Sequence, residues 1–584
     1  MSLSQPSLQG SQIPRWLTER VWRLEHAFER ARASGKAEDD TRLRIFVVLA
    51  LFAVSFVVLA VGATHAALFS NAAASGVGDP SEGARADLVD RNGQLLAADL
   101  LHYGLYLDPR EIWDPPQTRR ALMTAMPEID PARLDKVLHA DRRTFLTGSL
   151  TPEERNRIHD LGLPGLSFEP EQHRVYPLGT TASHLIGFVQ ESGGKPLAGA
   201  EAALNTDILG GAGGGAAVPL SIDLRVQGAL EDELYRAVAE FTPKGAVGLV
   251  TDVHTGEVLG MASWPVFDAN KPGQSGDNAR LNRAAASIFE MGSTFKAFTV
   301  AVGLDSGVAT PNSTFDATHP FQLGYRTIHD YHATRQVLTL VEVFQHSSNI
   351  GTARLAVAVG AERMGKYFDA LGLTRTAQVE LSESARPLTP RVWNEDAVAS
   401  TSFGHGINVS PLAMARAMGA LLNGGTLVPM TVRKLEPGSH VAGQRAVSER
   451  TSLQMLAIMR ANVTGGSGKS ANVTGLAVGG KTGTGEKWDS AIRAYSRQKQ
   501  VSSFAAVFPT TGGVKDKRYF VLILLDEPHA TARSAGFSTG GWVAAPAAGR
   551  VIERIAPFLG VHRRPEVDQP VPGANPVVPE REGQ

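Results

Sequence analysis

The longest apolar run of the chain covers residues 45–63, where Ser55 is the one clearly polar side chain. At the rise of an α-helix these residues span about 28 Å, close to the roughly 30 Å thickness of the bilayer hydrocarbon. A buried core helix fits a run this long and this uniform badly. The pattern therefore predicts a single transmembrane helix, which we assign to residues 45–68.

Charges on either side of the run predict its orientation. Residues 1–44 contain eight Lys and Arg side chains, whereas residues 70–83 contain none. The positive-inside rule therefore predicts a cytoplasmic segment over residues 1–44 and an exported remainder, periplasmic in a bacterium with an inner membrane. A cleaved signal peptide is the alternative, but its apolar region would be shorter and nearer the start. Small and polar residues over 69–84 indicate a linker.

Over residues 85–235 the apolar side chains recur with the period of a helix in some segments and with that of a strand in others. Asn92 and Gly93 stand between apolar flanks, which is a strong signal for a β-hairpin. Helical stretches are predicted at 118–126 and 152–161, with strand-like pieces between and after them. The glycine-rich run 210–215 lacks the Lys-Ser/Thr of a phosphate-binding loop, so it is interpreted as a surface loop. We predict an elongated mixed α/β domain here.

A second domain is predicted over residues 236–560. Two apolar runs around a turn at 254–256 indicate a hairpin, and a long helical region extends from about 280 to 425. Strand-like segments return at 501–508 and 518–526 and are followed by a last helix. This order favours an α+β fold whose antiparallel sheet joins both ends of the segment and is flanked by helices. Residues 561–584, rich in Pro, Glu and Arg, are predicted to be a disordered tail.

Composition excludes several functions and offers no cofactor. The formal net charge is −1, which gives no reason to expect a nucleic-acid partner. Cysteine is absent, so disulfides, thiolate catalysis and Cys-based zinc sites are excluded. No metal site and no cofactor are predicted.

Ser293 and Lys296 form the first chemical candidate. Residues three apart on a helix share a face, and an apolar helical run begins directly after this pair. Ser293 is therefore predicted at a helix N-terminus, where backbone N–H groups favour negative charge. A serine hydroxyl needs a base, and a desolvated, partly neutral lysine is one. The same spacing occurs at Ser192/Lys195 and Ser496/Lys499, so spacing alone does not select the nucleophile.

Two later motifs select Ser293 among the three pairs. Ser347-Ser348-Asn349 ends a helical stretch, and Lys481-Thr482-Gly483-Thr484 opens the strand-rich end of the domain. Ser-x-x-Lys, Ser-x-Asn and Lys-Thr-Gly occur in this order in penicillin-binding proteins and class A β-lactamases. A second Ser-x-Asn at Ser470 lies too close to Lys481 to form a separate loop.

Each motif residue is given a role by its chemistry. Ser347 is expected to relay a proton between Lys296 and the leaving amine, and Asn349 to hydrogen-bond the amide of the acyl donor. Lys481 is expected to face a substrate carboxylate with its positive charge. Gly483 is predicted to let a substrate backbone lie against an edge strand, with Thr482 and Thr484 beside it. The backbone amides of Ser293 and Thr484 are the candidate oxyanion hole.

The chain resembles the class B penicillin-binding proteins from about residue 85 to 560. Segments outside the three motifs carry the resemblance: 85–93, 174–177, 184–187, 199–201, 403–406 and 410–412. Met291, Ala413 and Gly485 depart from the family's usual residues, and none of these changes removes a group that the reaction needs. The resemblance implies a membrane-anchored pedestal domain of the dimerisation type and a serine β-lactamase-like transpeptidase domain.

The resemblance also implies an activity and partners. It implies a peptidoglycan D,D-transpeptidase that cross-links stem peptides of lipid II-derived strands through Ser293 and is covalently inhibited by β-lactams. Among family members the chain is most similar to the division-specific ones. That similarity implies septal synthesis with a SEDS-class glycan polymerase and other divisome membrane proteins. An elongation-specific transpeptidase is the alternative, and a penicillin sensor or β-lactamase-like protein is a weaker one.

Overall fold

The computed structural model describes residues 85–565 apart from 191–193, 213–215 and 490–492, together with scattered helical positions between 26 and 59. Within these residues, no helix combines the length and the apolar character that a bilayer crossing requires. The linker lies outside the described residues, and so do most of the predicted cytoplasmic segment, of the predicted transmembrane helix and of the predicted tail.

The strands, in chain order, are β1 Leu88–Val89, β2 Leu95–Leu107, β3 Thr144–Leu150, β4 Leu166–Val175, β5 Phe188–Val189, β6 Pro196–Ala198, β7 Val218–Pro219, β8 Gly245–Asp252, β9 Val258–Trp264, β10 Thr314–Asp316, β11 Phe321–Leu323, β12 Arg326–Ile328, β13 Val337–Thr339, β14 Thr426–Leu427, β15 Gln444–Arg445, β16 Gly479–Asp489, β17 Ala494–Phe508 and β18 Tyr519–Asp526.

The helices of residues 85–565 are α1 Pro115–Ala125, α2 Pro131–Leu138, α3 Pro152–His159, α4 Ser183–Ile186, α5 Gly199–Ala203, α6 Asn205–Ala212, α7 Leu224–Phe241, α8 Asp277–Arg280, α9 Arg283–Ala286, α10 Lys296–Asp305, α11 Leu340–Gln345, α12 Asn349–Val359, α13 Ala361–Ala370, α14 Glu395–Thr401, α15 Pro411–Leu422, α16 Glu449–Gly465 and α17 Ala544–Ile555. Four short 3₁₀ helices cover Pro109–Glu111, Pro272–Gln274, Gly292–Phe295 and Lys469–Ala471.

A five-stranded antiparallel sheet in the order β16-β17-β18-β8-β9 forms the centre of the second domain. Side chains of a strand alternate between faces, and the central strand β18 is buried on both. Phe520, Leu522 and Leu524 belong to one core, while Val521 and Ile523 belong to the other. The sheet joins the two ends of the domain and is flanked by helices, as the order of apolar segments predicted.

Helices cover both faces of this sheet. The amphipathic helix α7 and the closing helix α17 pack in one core, whereas α10 and α15 lie in the other. The predicted boundary at residue 235 falls inside α7, a single helix whose buried residues pack with the sheet of the second domain. The boundary was therefore placed too late. Strand-like patterning up to residue 225 gave no sign of this helix.

The first domain contains a sheet in the order β3-β2-β1-β7, with β4 also paired to β2. The hairpin predicted at Asn92-Gly93 is confirmed, because β1 and β2 are antiparallel and Gly93 adopts a φ of 85°. The helices predicted at 118–126 and 152–161 correspond to α1 and α3. The surface loop predicted at 210–215 is wrong over its first part, because α6 continues to Ala212.

Buried ion pairs link separate segments of the first domain. Glu201 is completely buried and accepts hydrogen bonds from the guanidinium groups of Arg85 (2.6 Å) and Arg174 (2.7 Å). Asp99 receives a second hydrogen bond from Arg174 (3.1 Å), and the Tyr176 hydroxyl also reaches Glu201 (3.4 Å). Three of the sequence segments that carry the family resemblance therefore meet in one ion cluster, in which each buried charge has a partner.

Several small elements of the long helical region had no signal in the sequence. Two-stranded sheets β10-β13 and β11-β12 interrupt it. Their strands are three residues long, too short for a period of two to be distinguished from chance. They precede α11 and the loop that carries Ser347, and the His329 carbonyl oxygen, directly after β12, accepts a hydrogen bond from Asn349.

Candidate active site

Ser293 lies in the 3₁₀ helix Gly292–Phe295, and Lys296 is the first residue of α10. The predicted position of the nucleophile at a helix N-terminus is thus borne out by the backbone. Ser293 is half-buried and lines a cavity of about 350 Å³. Its hydroxyl has no hydrogen-bond partner among the described residues, and a serine in this state is free to turn towards a substrate.

The Lys296 ammonium group is completely buried below this cavity. Its Nζ donates to Asn349 Oδ1 (2.7 Å), to Ser347 Oγ (3.0 Å) and to the Ser347 carbonyl oxygen. Burial lowers the pKa of Lys296 to about 7, and the charge of Asp330 opposes that shift. A substantial neutral fraction near pH 7 provides the lone pair that a general base needs.

Ser347 occupies the short loop between α11 and α12. Its φ of 57° is unusual for a residue with a side chain and costs free energy that the surrounding contacts must offset. Ser348 caps α12 by accepting from the Gly351 N–H, and its own hydroxyl donates to Asp330 (2.8 Å). Asp330 also accepts from the Ile350 N–H (3.0 Å). These contacts hold the loop so that Ser347 Oγ faces Lys296.

Hydrogen bonds hold both polar atoms of the Asn349 side chain. Its Oδ1 accepts from Lys296, and its Nδ2 donates to the His329 carbonyl oxygen (3.0 Å). The predicted contact with the substrate amide therefore has the second Nδ2 hydrogen and the second lone pair of Oδ1 available. In this structure Asn349 positions the Lys296 amine, which the sequence pattern did not indicate.

The side chain of Lys481 contacts Ser347. It is completely buried in β16, and its Nζ donates to Ser347 Oγ (3.0 Å) and to the Thr482 carbonyl oxygen (3.2 Å). Burial, and then the charge of Lys296, lower the pKa of Lys481. Lys481 is not among the residues that line the cavity, and its amine contacts Ser347. The expected charge facing a substrate carboxylate stays a prediction. The hydroxyl of Ser347 lies between two lysine amines.

The packing around Gly483 leaves no space for a side chain. β16 is an edge strand, as expected. However, a Cβ atom on Gly483 would lie 2.5 Å from the Met291 carbonyl oxygen and 2.3 Å from Ser503 Oγ. The absent side chain therefore allows β16 to approach the segment before Ser293. The role of Gly483 in substrate binding stays a prediction.

Gly292 completes this close approach from the other side. Its φ is 56°, and a Cβ atom there would lie 2.3 Å from the Thr484 carbonyl oxygen. The backbones of Ser293 and Thr484 are consequently neighbours, as an oxyanion hole made from their amides requires. Thr484 lines the cavity, as does Thr482, whose hydroxyl is hydrogen-bonded to Ser467 (2.8 Å).

Glu290 is a site residue to which the sequence analysis gave no role. One carboxyl oxygen accepts from the Gly406 N–H (3.0 Å) and the Tyr495 hydroxyl (2.9 Å), and burial raises the pKa of this group. The His405 ring stacks on Tyr495 with centroids 5.7 Å apart, and burial lowers the pKa of His405 to about 4. Glu290 thus links Gly406 and Tyr495 to the segment that precedes Ser293.

The remaining Ser-x-x-Lys pairs do not form a site. Ser496 and Lys499 lie in β17, and Lys499 forms an ion pair with Asp489 (2.7 Å). Ser192 lies outside the described residues. Ser470 belongs to a 3₁₀ helix and donates to the Gly541 carbonyl oxygen (2.5 Å). In the part of the chain that the structure describes, no group of acidic and histidine side chains could hold a metal ion.

Comparison with known families matches two parts of the chain. The family of the penicillin binding protein transpeptidase domain matches residues 246–553. The family of the penicillin-binding protein dimerisation domain matches residues 80–213. The first range contains every residue of the three motifs, and the second contains the buried ion cluster around Glu201.

Individual relatives resemble the chain over most of its length. A Caulobacter vibrioides protein named probable peptidoglycan D,D-transpeptidase FtsI is 65% identical, with 97% of each chain covered. Peptidoglycan D,D-transpeptidase FtsI of Escherichia coli is 30% identical over 82% of this chain and 84% of its own. The crystal structure of penicillin binding protein 3 from Mycobacterium tuberculosis, complexed with aztreonam, has a TM-score of 0.64 at 24% identity. It covers 83% of this chain and 98% of its own, which shows the fold.

Proposed function

The chain belongs to the penicillin-binding protein transpeptidases, and we propose that it performs their reaction through an acyl-enzyme on Ser293. It is a peptidoglycan D,D-transpeptidase of cell division, the function of the division-specific proteins that bear the name FtsI. One observation carries the residue assignment. Ser347 Oγ lies 3.0 Å from both Lys296 Nζ and Lys481 Nζ, so side chains of three separated motifs meet beside the cavity of Ser293.

Acylation begins with neutral Lys296. Its lone pair takes the proton of the Ser293 hydroxyl as Oγ attacks the carbonyl of the penultimate D-Ala in a stem peptide. The oxyanion receives hydrogen bonds from the amides of Ser293 and Thr484. The carbon–nitrogen bond then breaks, and the departing D-Ala amine takes the proton from Lys296 through the Ser347 hydroxyl. Lys481 keeps that hydroxyl oriented between the two amines.

Deacylation runs the same proton path in reverse. The neutral amine of a second stem peptide attacks the Ser293 ester, and its surplus proton passes through Ser347 to Lys296. Lys296 returns the proton to Ser293 Oγ as the ester bond breaks. A peptide cross-link is formed, and the free serine is restored. β-Lactams enter the first half of this cycle because their ring amide is attacked in place of the D-Ala-D-Ala bond.

The acylation rate is expected to rise with pH. Burial lowers the pKa of Lys296 to about 7, and only the neutral amine accepts the proton of Ser293. The second-order rate constant for a fluorescent penicillin should therefore fall about tenfold per pH unit below 7 and level off above it. Stopped-flow measurements from about pH 5 to pH 9 check this expectation. A rate independent of pH between about 5 and 7 would exclude Lys296 as the base.

The acyl-enzyme formed with penicillin is expected to be long-lived. A transpeptidase must keep its ester until a second peptide arrives, whereas a β-lactamase hydrolyses it at once. After a pulse of labelled penicillin and a chase with excess unlabelled drug, the label should stay on the full-length chain. Rapid release of hydrolysed penicillin would contradict the transpeptidase function and favour the β-lactamase-like alternative.

Membrane attachment is part of the proposal. The described positions between 51 and 57 are helical, and Phe52 and Phe56 expose 72% and 75% of their surface. A helix with exposed apolar side chains all round requires an apolar environment. The basic residues before this segment put the N-terminus in the cytoplasm and the catalytic domain in the periplasm.

A glycan polymerase is the proposed partner. Neither matched domain, over residues 80–213 and 246–553, polymerises glycan, so the strands to be cross-linked come from another protein. A membrane polymerase of the SEDS class fits this role, with contacts through the anchor and the N-terminal domain. Other divisome membrane proteins would bring both enzymes to the septum.

A further inference from the structure

A second cavity of about 740 Å³ adjoins the cavity of Ser293. The two share four lining residues: Asn349, Phe403, His405 and Glu486. Ser293 lines only the smaller cavity, and the described mechanism uses nothing beyond the shared edge. The larger volume is within the range of sites that bind small peptides or ligands.

Glu486 stands at the boundary of the two cavities. It is half-buried, and its carboxylate makes neither a hydrogen bond nor an ion pair with any residue that the structure describes. The ladder between β16 and β17 shifts register directly after it, from Glu486 opposite Gln500 to Lys487 opposite Ser496. Such a bulge redirects side chains at the edge of a sheet. Among the described residues, Glu486 is thus a negative charge without a partner, placed where the two cavities meet.

The other charges that line the larger cavity do not oppose that of Glu486. Asp396 and Arg326 form an ion pair, with 3.4 Å between Arg326 Nε and Asp396 Oδ1, and both are about half exposed. His405 is neutral at pH 7, since burial lowers its pKa to about 4. With Asp396 and Arg326 offsetting each other, the unbalanced charge among these groups is that of Glu486.

The reaction itself requires a second binding site. During deacylation the donor peptide remains attached to Ser293 and occupies the smaller cavity, so the acceptor must approach from an adjoining volume. At neutral pH an alkyl amine is mostly protonated, and an ammonium group is attracted to an unpaired carboxylate. The geometry points to the larger cavity as the subsite of the acceptor stem peptide, with Glu486 as the residue that captures its ammonium group. This inference rests on the proposed function.

Glu486 acts in capture and not in the chemical step. The amine attacks only after its ammonium proton has passed to water, and the proton path through Ser347 and Lys296 is unchanged. The free energy of a half-exposed charge pair is modest. We therefore expect Glu486→Gln to raise the acceptor concentration for half-maximal aminolysis about fivefold, with a smaller effect on the maximal rate.

The full-length chain, given a thioester donor, provides the test. Aminolysis and hydrolysis of the acyl-enzyme are measured against the concentration of a D-amino acid, which carries an ammonium group, and of hydroxylamine, which is uncharged at neutral pH. Glu486→Gln should weaken use of the D-amino acid and leave hydroxylamine unaffected, and the difference should shrink at high salt. Asp396→Asn should act in the same direction, because it leaves Arg326 as an unpaired positive charge in the cavity.

Glu395→Gln is the matched control. Glu395 precedes Asp396 in the same helix turn and carries the same charge, but it does not line the larger cavity. An unchanged acceptor dependence in Glu486→Gln and Asp396→Asn would overturn the inference, and so would an equal effect in Glu395→Gln. Failure of the wild-type chain to form an acyl-enzyme with penicillin would instead refute the proposed function, so the two failures are distinguishable.

Discussion

Ser293→Ala is expected to abolish covalent labelling by penicillin completely. The variant removes the one oxygen that forms the ester in the proposed mechanism, and the other hydroxyl beside Lys296, that of Ser347, is already hydrogen-bonded to Lys296 and Lys481. Labelled penicillin, followed by denaturing electrophoresis of the full-length chain, measures the effect. The change removes a single half-buried oxygen, so folding should be unaffected, as thermal unfolding will check.

Ser496→Ala is the control for this result. Ser496 and Lys499 have the same sequence spacing as Ser293 and Lys296, but they lie in a strand, and Lys499 is paired with Asp489. This variant should be labelled like the wild type. If Ser293→Ala still formed a covalent adduct, or if Ser496→Ala lost it, the nucleophile would be misassigned.

Lys296→Met is expected to lower the rate of acylation by about 10³-fold or more, because general base catalysis typically contributes about 10²- to 10⁴-fold. Methionine has a similar shape and no lone pair that can accept the proton of Ser293. The substitution has one favourable and one unfavourable effect on the stability of the fold. Removal of a buried amine is favourable, whereas Asn349 Oδ1 and the Ser347 carbonyl oxygen each lose a donor.

The acylation rate constant and the unfolding free energy of Lys296→Met should be measured on the same preparation. A folded variant with a slow rate supports the assignment. Lys366→Met provides the control, because Lys366 is an exposed lysine that pairs with the neighbouring Glu362 on the helix surface. A rate for Lys296→Met within tenfold of the wild type would contradict the role of Lys296 as the base and would direct attention to Lys481.

Much of the fold was encoded in local patterns. Apolar runs with turns between them predicted the hairpin β8-β9 and the strands β17 and β18, and Asn92-Gly93 predicted the hairpin β1-β2. These features depend on side-chain alternation and turn geometry within a few residues. The limits of α7 and the small sheets around residues 314–339 depend on packing against distant segments, and the sequence gave no comparable signal for them.

The candidate site also has features that the sequence predicted and features that only folding decided. The order and spacing of Ser293, Ser347 and Lys481 predicted the nucleophile, because a reaction of this chemistry needs those groups in one place. Their mutual orientation was decided by the tertiary structure. β16 lies against the segment before Ser293, which brings Lys481 to Ser347 and leaves no space for a side chain at Gly483.

The sequence by itself predicted which residues carry the chemistry and determined which segments form the sheet, because residue types and periodicity are local properties. Only the tertiary structure decided the lowered pKa of Lys296, the hydrogen bonds of Glu290 and the lack of a partner for the Glu486 carboxylate among the described residues. Each of these depends on what surrounds a side chain after folding: the water that is excluded, the partner that is within reach, or the partner that is missing. Such surroundings are formed by residues up to about two hundred positions apart, as with Glu290 and Tyr495.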